Sequence, residues 1–137
     1  MDQSSRRQAR EQAFALLFEL SFHPGERLTD ILNARDDDTP APDAFALKLA
    51  LCAEENLQAL DEEIAKRLKG WKLNRISRAS LAILRMAACE IRHFDEIPVG
   101  ASINEAVELA KVYADDEAPK FINGVLGAIA RESGSEP

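Results

Sequence analysis

The stretch Ser77-Arg-Ala-Ser-Leu-Ala-Ile-Leu-Arg-Met-Ala-Ala-Cys-Glu-Ile91 decides the fold class of this 137-residue chain. Its apolar residues Leu81, Leu84 and Ala88 recur every three or four positions, which is the period of an amphipathic helix. Ser77 precedes the first apolar residue and is suited to cap the helix. No stretch of the sequence stands out with the two-residue alternation of a half-buried strand. The sequence therefore predicts an all-α fold.

The segments on either side of this stretch carry the same helical period. Capping boxes are predicted where a serine is followed three residues later by Gln or Glu, at Ser5–Gln8 and at Ser102–Glu105. Three helical regions are predicted in the first half of the chain: Ser5 to about Phe22, Leu28–Ala34, and Asp43–Lys69, the last with a candidate interruption near Glu55–Asn56. Three more helices are predicted to begin at Ser77, at Ser102 and after Pro119. This pattern predicts one compact bundle of about six or seven helices, forming a single domain over residues 1–137.

Glycines refine this prediction at two places. Gly70-Trp71 is expected to end the long helical region. Gly124 and Gly127 lie inside the last predicted helix, where glycine costs up to about 1 kcal/mol against alanine. We expect another helix to approach closely at these two positions.

The composition is that of a globular protein with an uneven charge. Hydrophobic residues make up 46% and charged residues 30% of the chain, and the net charge is −7. The stretch from Lys66 to Arg92 has eight basic residues against the single acid Glu90, so it carries +7 and leaves −14 elsewhere. A chain with this balance is not expected to bind phosphate backbones indiscriminately.

Targeting signals and catalytic motifs are missing from the sequence. Cys52 and Cys89 have no paired spacing and are interpreted as small core residues of a protein in a reducing compartment. No apolar run has the length of a signal peptide core or a membrane span, which predicts a cytoplasmic protein. We find no phosphate-binding glycine loop and no metal-ligand spacing, and the carboxylates are expected on helix exteriors and loops. The sequence favours a binding module, without cofactor or metal, over an enzyme.

Three arginines, Arg6, Arg7 and Arg10, lie at the start of the first predicted helix. Cations near a helix N-terminus are unfavourable by roughly 0.3–1 kcal/mol each when exposed. The cluster therefore points to an anionic partner such as nucleic acid, although a solvated polar face would also account for it. In a helix, Arg6 and Arg10 lie one turn apart on one face.

The same helix has a row of phenylalanines at Phe14, Phe18 and Phe22 beside its aliphatic stripe. One interpretation is a central helix buried on two sides, and the other is that part of the row docks a partner. An exposed row would be compatible with a monomer or with a homodimer.

Three segments of the chain carry a family resemblance. They are Arg6-Arg7-Gln8-Ala9-Arg10-Glu11, the stretch Ile83–Ile91 leading into Ile97-Pro98, and the block Ile103–Lys111 followed by Lys120–Leu126. Together they resemble the NusB family of transcription antitermination factors, and the third segment is the most specific. The resemblance covers nearly the whole chain and is weakest from Pro24 to about Ala59.

The resemblance implies an all-α protein of two packed helical sub-bundles that is not an enzyme. It implies a heterodimer with ribosomal protein NusE that binds the boxA element of nascent RNA, within an antitermination complex on RNA polymerase. It further implies RNA contacts from Arg6, Arg7, Arg10, Lys120 and Phe121.

Partner contacts are implied at Phe18, Phe22 and Ser80. Gln8 stands where the family often has arginine, Phe18 where it often has tyrosine, and Ser80 where many members carry an acid. These departures remove one candidate phosphate contact, one hydroxyl and one candidate salt bridge.

Two alternatives remain open from the sequence. One is the NusB-like domain of a ribosomal-RNA cytosine methyltransferase, which would need a following catalytic domain, whereas the tail to Pro137 resembles a natural terminus. The other is a helical protein-interaction module that does not bind RNA.

Overall fold

The computed structural model describes residues 3–68, 70 and 72–132, with side chains from residue 6 onward. Within these residues the chain forms seven α-helices and one 3-10 turn, and no strand. The helices are α1 (Gln3–Leu20), α2 (Leu28–Asn33), α3 (Ala44–Glu55), α4 (Leu57–Ala65), α5 (Arg78–His93), α6 (Val99–Tyr113) and α7 (Ala118–Glu132), with the 3-10 turn at Leu73–Arg75. None of these helices is both long and apolar enough to cross a bilayer.

Helix α5 is the centre of the fold. It packs against α1 and α3 on one side and against α4, α6 and α7 on the other. Every residue from 82 to 91 except Arg85 is buried, because the helix is covered all round. The chain thus forms two sub-bundles that share α5, and the predicted all-α bundle of six or seven helices is confirmed.

The predicted cap at Ser77 and the predicted break near Asn56 are confirmed, and the structure adds a cap at Asp43. Asp43 caps α3, its Oδ1 accepting from the Phe45 backbone N–H at 2.8 Å. Ser77 caps α5, its Oγ accepting from the Ser80 backbone N–H at 3.1 Å. The interruption near residue 56 is present, since α3 ends at Glu55 and α4 begins at Leu57.

Both predicted capping boxes are wrong. Helix α1 already begins at Gln3, so Ser5 lies within it. Helix α6 begins at Val99, directly after Pro98, whose ring fixes φ and supplies no N–H. Ser102 and Glu105 are therefore interior positions of α6, and both side chains are buried.

The glycine predictions have mixed outcomes. Gly70 has a φ of +93°, which favours glycine at this turn, while Trp71 lies outside the described residues. The close helix approach expected at Gly124 and Gly127 is wrong. A Cβ at Gly124 would meet nothing within 4 Å, and one at Gly127 would meet only the Arg131 side chain of the same helix.

Candidate nucleic-acid interface

We call Arg6, Arg7 and Arg10 the arginine turn, and each of the three side chains has a different main contact. Arg7 reaches α6, where its Nε and Nη2 donate to the two carboxylate oxygens of Glu105 at 2.9 and 2.7 Å. Glu105 is buried, whereas the Arg7 side chain is 48% exposed. The hydrogen bonds from Arg7 hold the pKa of Glu105 below its usual range and raise the pKa of Arg7. Arg7 is thus a surface cation tied to a buried carboxylate.

Arg10 lies in the protein interior, with 4% of its surface exposed. Its Nη2 and Nε donate to Glu90 of α5 at 2.6 and 2.9 Å. The same carboxylate accepts a hydrogen bond from Ser102 Oγ at 2.8 Å. The prediction that Arg6 and Arg10 share one face holds, since both guanidiniums approach the Phe45 ring, but Arg10 is buried there and neutralises Glu90.

Arg6 lies against Phe45 of α3, a ring that Arg10 also approaches at 5.7 Å. Its guanidinium carbon is 3.9 Å from the centre of the Phe45 ring, a cation–π distance. Phe45 packs edge-on against Phe94 with centroids 5.7 Å apart. Arg6 is partly exposed. Of the three arginines, Arg6 and Arg7 are at the surface.

The two buried acids are not predicted by the sequence. Glu90 and Glu105 are 1% and 3% exposed, which contradicts the expectation that all carboxylates lie on helix exteriors and loops. A signal is present for Glu90, which stands between Cys89 and Ile91 in the apolar stretch. A carboxylate in that position needs a buried cation.

A groove of about 530 Å³ lies between the start of α5 and the start of α7. It brings together Lys120 and Phe121, the two distal RNA-contact predictions, with Ser80, a predicted partner contact. Its other lining residues are Arg75, Ile76, Ser77, Asp115, Glu117 and Ala118. We call this feature the α5–α7 groove.

The α5–α7 groove has the chemical groups that an extended polyanion with flat bases requires. Lys120 and Arg75 supply cations, and the part-exposed Phe121 ring supplies a stacking face. The N-termini of α5 and α7 lie at the groove and carry partial positive charge. Asp115 accepts from the backbone N–H groups of Glu117 and Ala118 at 3.1 and 3.0 Å, so its carboxylate serves as a cap. In the sequence, Arg75 stands out only as part of the basic stretch.

An aromatic row runs along α1, from the end of α6 to the turn that follows Leu20. The row consists of Tyr113, Phe14, Phe18 and Phe22, with successive centroids 4.9, 5.7 and 5.1 Å apart. Phe14 is buried, Phe18 is partly buried and Phe22 is 52% exposed. The guanidinium carbon of Arg78 lies 4.6 Å from the Phe22 ring centre, and Arg78 also donates to the backbone oxygen of Ser21.

The interpretation of a helix buried on two sides agrees with the inner part of the row, whereas partner docking by its exposed end stays a prediction. Phe14 lies on α1, which packs against α3 and α5, and its side chain belongs to the hydrophobic core. Phe22, at the far end, presents an apolar face to solvent beside a cation. Among the described residues, no three His, Cys, Asp or Glu side chains are grouped so that they could hold a metal ion.

Sequence comparison relates the chain to one family. The model of the NusB family matches residues 7–131. The transcription antitermination protein NusB of Bacillus pumilus is 40% identical over 130 residues, which cover 93% of this chain and 95% of that protein. The protein of the same name from Bacillus subtilis is 44% identical over 124 residues, covering 90% and 93%.

Structure comparison gives the same relationship. The fold matches NusB of T. maritima with a TM-score of 0.83 and 36% identity, covering 93% of this chain and 91% of that one. It also matches a chain of the crystal structure of antitermination factors NusB and NusE in complex with double-stranded RNA. That match has a TM-score of 0.81 and 28% identity, and it covers 96% of this chain and 99% of that one.

Proposed function

Because the chain belongs to the NusB family, we propose that it is a transcription antitermination factor that binds boxA-type single-stranded RNA together with ribosomal protein NusE. The observation that carries the proposal is the match, over nearly the full length of both chains, to a structure of NusB and NusE with RNA. The pair would join an antitermination complex on RNA polymerase in the cytoplasm during ribosomal RNA transcription. The chain, as a single domain, would act only by binding its partners and would not make or break a covalent bond.

We assign the RNA contacts to two separate places. One is the surface part of the arginine turn, Arg6 and Arg7. The other is the α5–α7 groove, where Phe121 would stack on a base while Lys120 and Arg75 neutralise phosphates. The buried Arg10 would act by positioning the turn and would not touch RNA.

Arg7 can contact a phosphate without leaving Glu105. A guanidinium has five N–H groups, and Glu105 takes two of those of Arg7. The side chain is half exposed, so the remaining N–H groups are open to an anion. Glu105 would then hold the guanidinium in place, which reduces the entropy lost on binding RNA.

We assign NusE to the exposed end of the aromatic row, at Phe18 and Phe22. Leu20, the last residue of α1, lies about 21 Å along the helix axis from Arg6, because the two are 14 positions apart, and Phe22 lies in the turn that follows. A partner seated on the row would lie between the two RNA contact regions. It would extend the basic surface from one region to the other, so RNA and partner would bind cooperatively.

The charge of the chain explains why it would need a partner. Neutralising three to five phosphates of a single strand gives a salt slope of roughly −2 to −3.5. That is a modest electrostatic contribution, and the net charge of −7 works against it. We therefore infer weak RNA binding by the chain alone and strong binding by the heterodimer.

The test is a gel shift on boxA-type RNA and on a scrambled RNA of equal length, with and without NusE. We expect weak binding by the chain alone and tight, sequence-dependent binding once NusE is added. Equal affinity with and without NusE would contradict the proposal. Sedimentation of the chain alone tests whether a second copy occupies the aromatic row in the absence of NusE.

The methyltransferase alternative is not favoured. Relatives that match nine tenths of this chain, and a similar share of their own length, carry the name of the antitermination protein. An interaction module without RNA binding would leave both RNAs unshifted in the same assay.

A further inference from the structure

The two cysteines of the chain meet in the core, although they are 37 positions apart in the sequence. Cys52 lies on α3 and Cys89 on α5, and their sulfur atoms are 2.8 Å apart. Both are free thiols. A disulfide has an S–S bond of about 2.05 Å, so a small inward movement of the two side chains suffices to form one.

The two thiols differ in their access to solvent. Cys89 is 0% exposed, whereas Cys52 is partly exposed at the edge of the core. Burial and the hydrogen bond to Cys52 raise the pKa of the Cys89 thiol. Since Cys89 is fully buried and Cys52 is partly exposed, we expect a small oxidant to react at Cys52, and the Cys89 sulfur, 2.8 Å away, lies close enough to attack the group then attached to Cys52.

From this geometry we propose that Cys52 and Cys89 form a redox-responsive dithiol, which low-molecular-weight disulfides oxidise to an intramolecular disulfide between α3 and α5. The Cys52 thiolate attacks the small disulfide, breaking its S–S bond and releasing one small thiol. Cys89 then loses its proton and attacks the Cys52 sulfur, forming the new S–S bond and releasing the second small thiol. Two protein thiols are oxidised, and one small disulfide is reduced to two thiols.

The disulfide would join the two helices that support the arginine turn. Helix α3 carries Phe45, which lies under Arg6, and α5 carries Glu90, which binds Arg10 and directly follows Cys89. Closing a loop of this size restricts the unfolded chain and stabilises the native one. The oxidised protein would therefore be the more heat-stable form, with the packing under the arginine turn held by a covalent bond.

The experiment treats the reduced, full-length protein with oxidised glutathione and follows the intact mass, the thiol count after denaturation and the melting temperature. We expect the loss of both thiols, a mass lower by two hydrogen atoms, and a rise in melting temperature on the order of 10 °C that dithiothreitol reverses. The controls are C52S, which should keep its buried thiol, and C89A, which should retain one glutathione on Cys52.

Three results on the wild-type protein would overturn the proposal. They are two unreacted thiols after prolonged treatment with excess oxidised glutathione, a lasting glutathione adduct on Cys52, or a disulfide-linked dimer. The wild-type mass alone separates these outcomes from the expected one, so the test does not depend on how well either variant folds.

Discussion

The guanidinium of Arg10 and the carboxylate of Glu90 form a buried ion pair at 2.6 Å that joins α1 to the central helix α5. Removing one partner of such a pair leaves an uncompensated buried charge. We expect Arg10→Met to lower the free energy of unfolding by about 3–5 kcal/mol, measured by urea denaturation. The matched control Lys111→Met, which breaks an exposed pair with Glu108, should change it by less than about 1 kcal/mol.

The double variant Arg10→Met with Glu90→Leu checks the cause of that loss. An apolar pair of similar volume leaves no charge buried, so we expect most of the lost stability to return. A double variant as unstable as Arg10→Met would contradict the ion-pair explanation, as would a single variant as stable as Lys111→Met.

The surface arginines should control the electrostatic part of RNA binding. We expect Arg6→Gln with Arg7→Gln to weaken binding of boxA-type RNA by the heterodimer and to reduce the magnitude of the salt slope by about 1.4, or about 0.7 for each phosphate that is no longer neutralised. Fluorescence anisotropy at several salt concentrations measures both. Arg27→Gln is the matched control, because Arg27 is a more exposed arginine beside Glu54 and away from the proposed RNA-binding residues. An unchanged slope would remove Arg6 and Arg7 from the interface.

The α5–α7 groove should contribute through stacking on Phe121. Phe121→Leu keeps an apolar side chain against the core and removes the aromatic face. We expect a loss of RNA affinity of about 1–3 kcal/mol with a salt slope equal to that of the wild type. Lys120→Gln should instead reduce the magnitude of the salt slope, and Lys111→Gln is its matched control. A Phe121→Leu variant with wild-type affinity would show that no base stacks there.

The exposed end of the aromatic row should determine NusE binding. Phe22 is half exposed, so Phe22→Ala should leave the fold intact and weaken the NusE complex by about 2 kcal/mol, as expected for a buried aromatic anchor. Calorimetric titration measures the effect. Leu51→Ala removes an exposed apolar side chain from α3 and should leave NusE affinity unchanged. If the two variants bind NusE equally well, the partner surface lies elsewhere.

The Arg7–Glu105 pair should give stability that depends on pH. Arg7 lowers the pKa of Glu105 in the folded protein, so the ionised carboxylate favours the native state. This contribution is complete above the ordinary glutamate pKa of about 4.3 and is lost as the pH falls through the lower folded value. We expect the stability advantage of the wild type over Arg7→Gln to be constant near neutral pH and to shrink in acid. Denaturation curves from neutral to acidic pH measure it, and a constant difference would contradict the assignment.

The helical architecture could be predicted because it depends on local pattern. The apolar period, the cap at Ser77 and the break near Asn56 can all be predicted from neighbouring residues. The capping box at Ser102 failed for a tertiary reason. Its serine and glutamate fit the local motif, but their side chains form hydrogen bonds with distant residues. Ser102 donates to Glu90, 12 positions away, and Glu105 accepts from Arg7, 98 positions away.

The candidate site could be predicted only in part. Lys120, Phe121 and Ser80 come together in one groove although nothing in their spacing indicates it. The arginine turn is recognisable as a group in the sequence, yet which arginine is exposed depends on where the buried acids of α5 and α6 lie. The contact of Cys52 with Cys89 likewise depends on the packing of α3 against α5.

The ion pairs of the arginine turn also determine when, during synthesis, α1 can reach its final position. Arg7 and Arg10 are translated 98 and 80 positions before the carboxylates that bind them. Helix α3 can cover part of α1 before then, but α1 lacks its contacts with α5 and both of its counter-charges until α5 and α6 have been translated. Non-local contacts of this kind are made late and slow folding. The arginine turn is therefore complete only once Glu105 has been translated, 98 positions after Arg7.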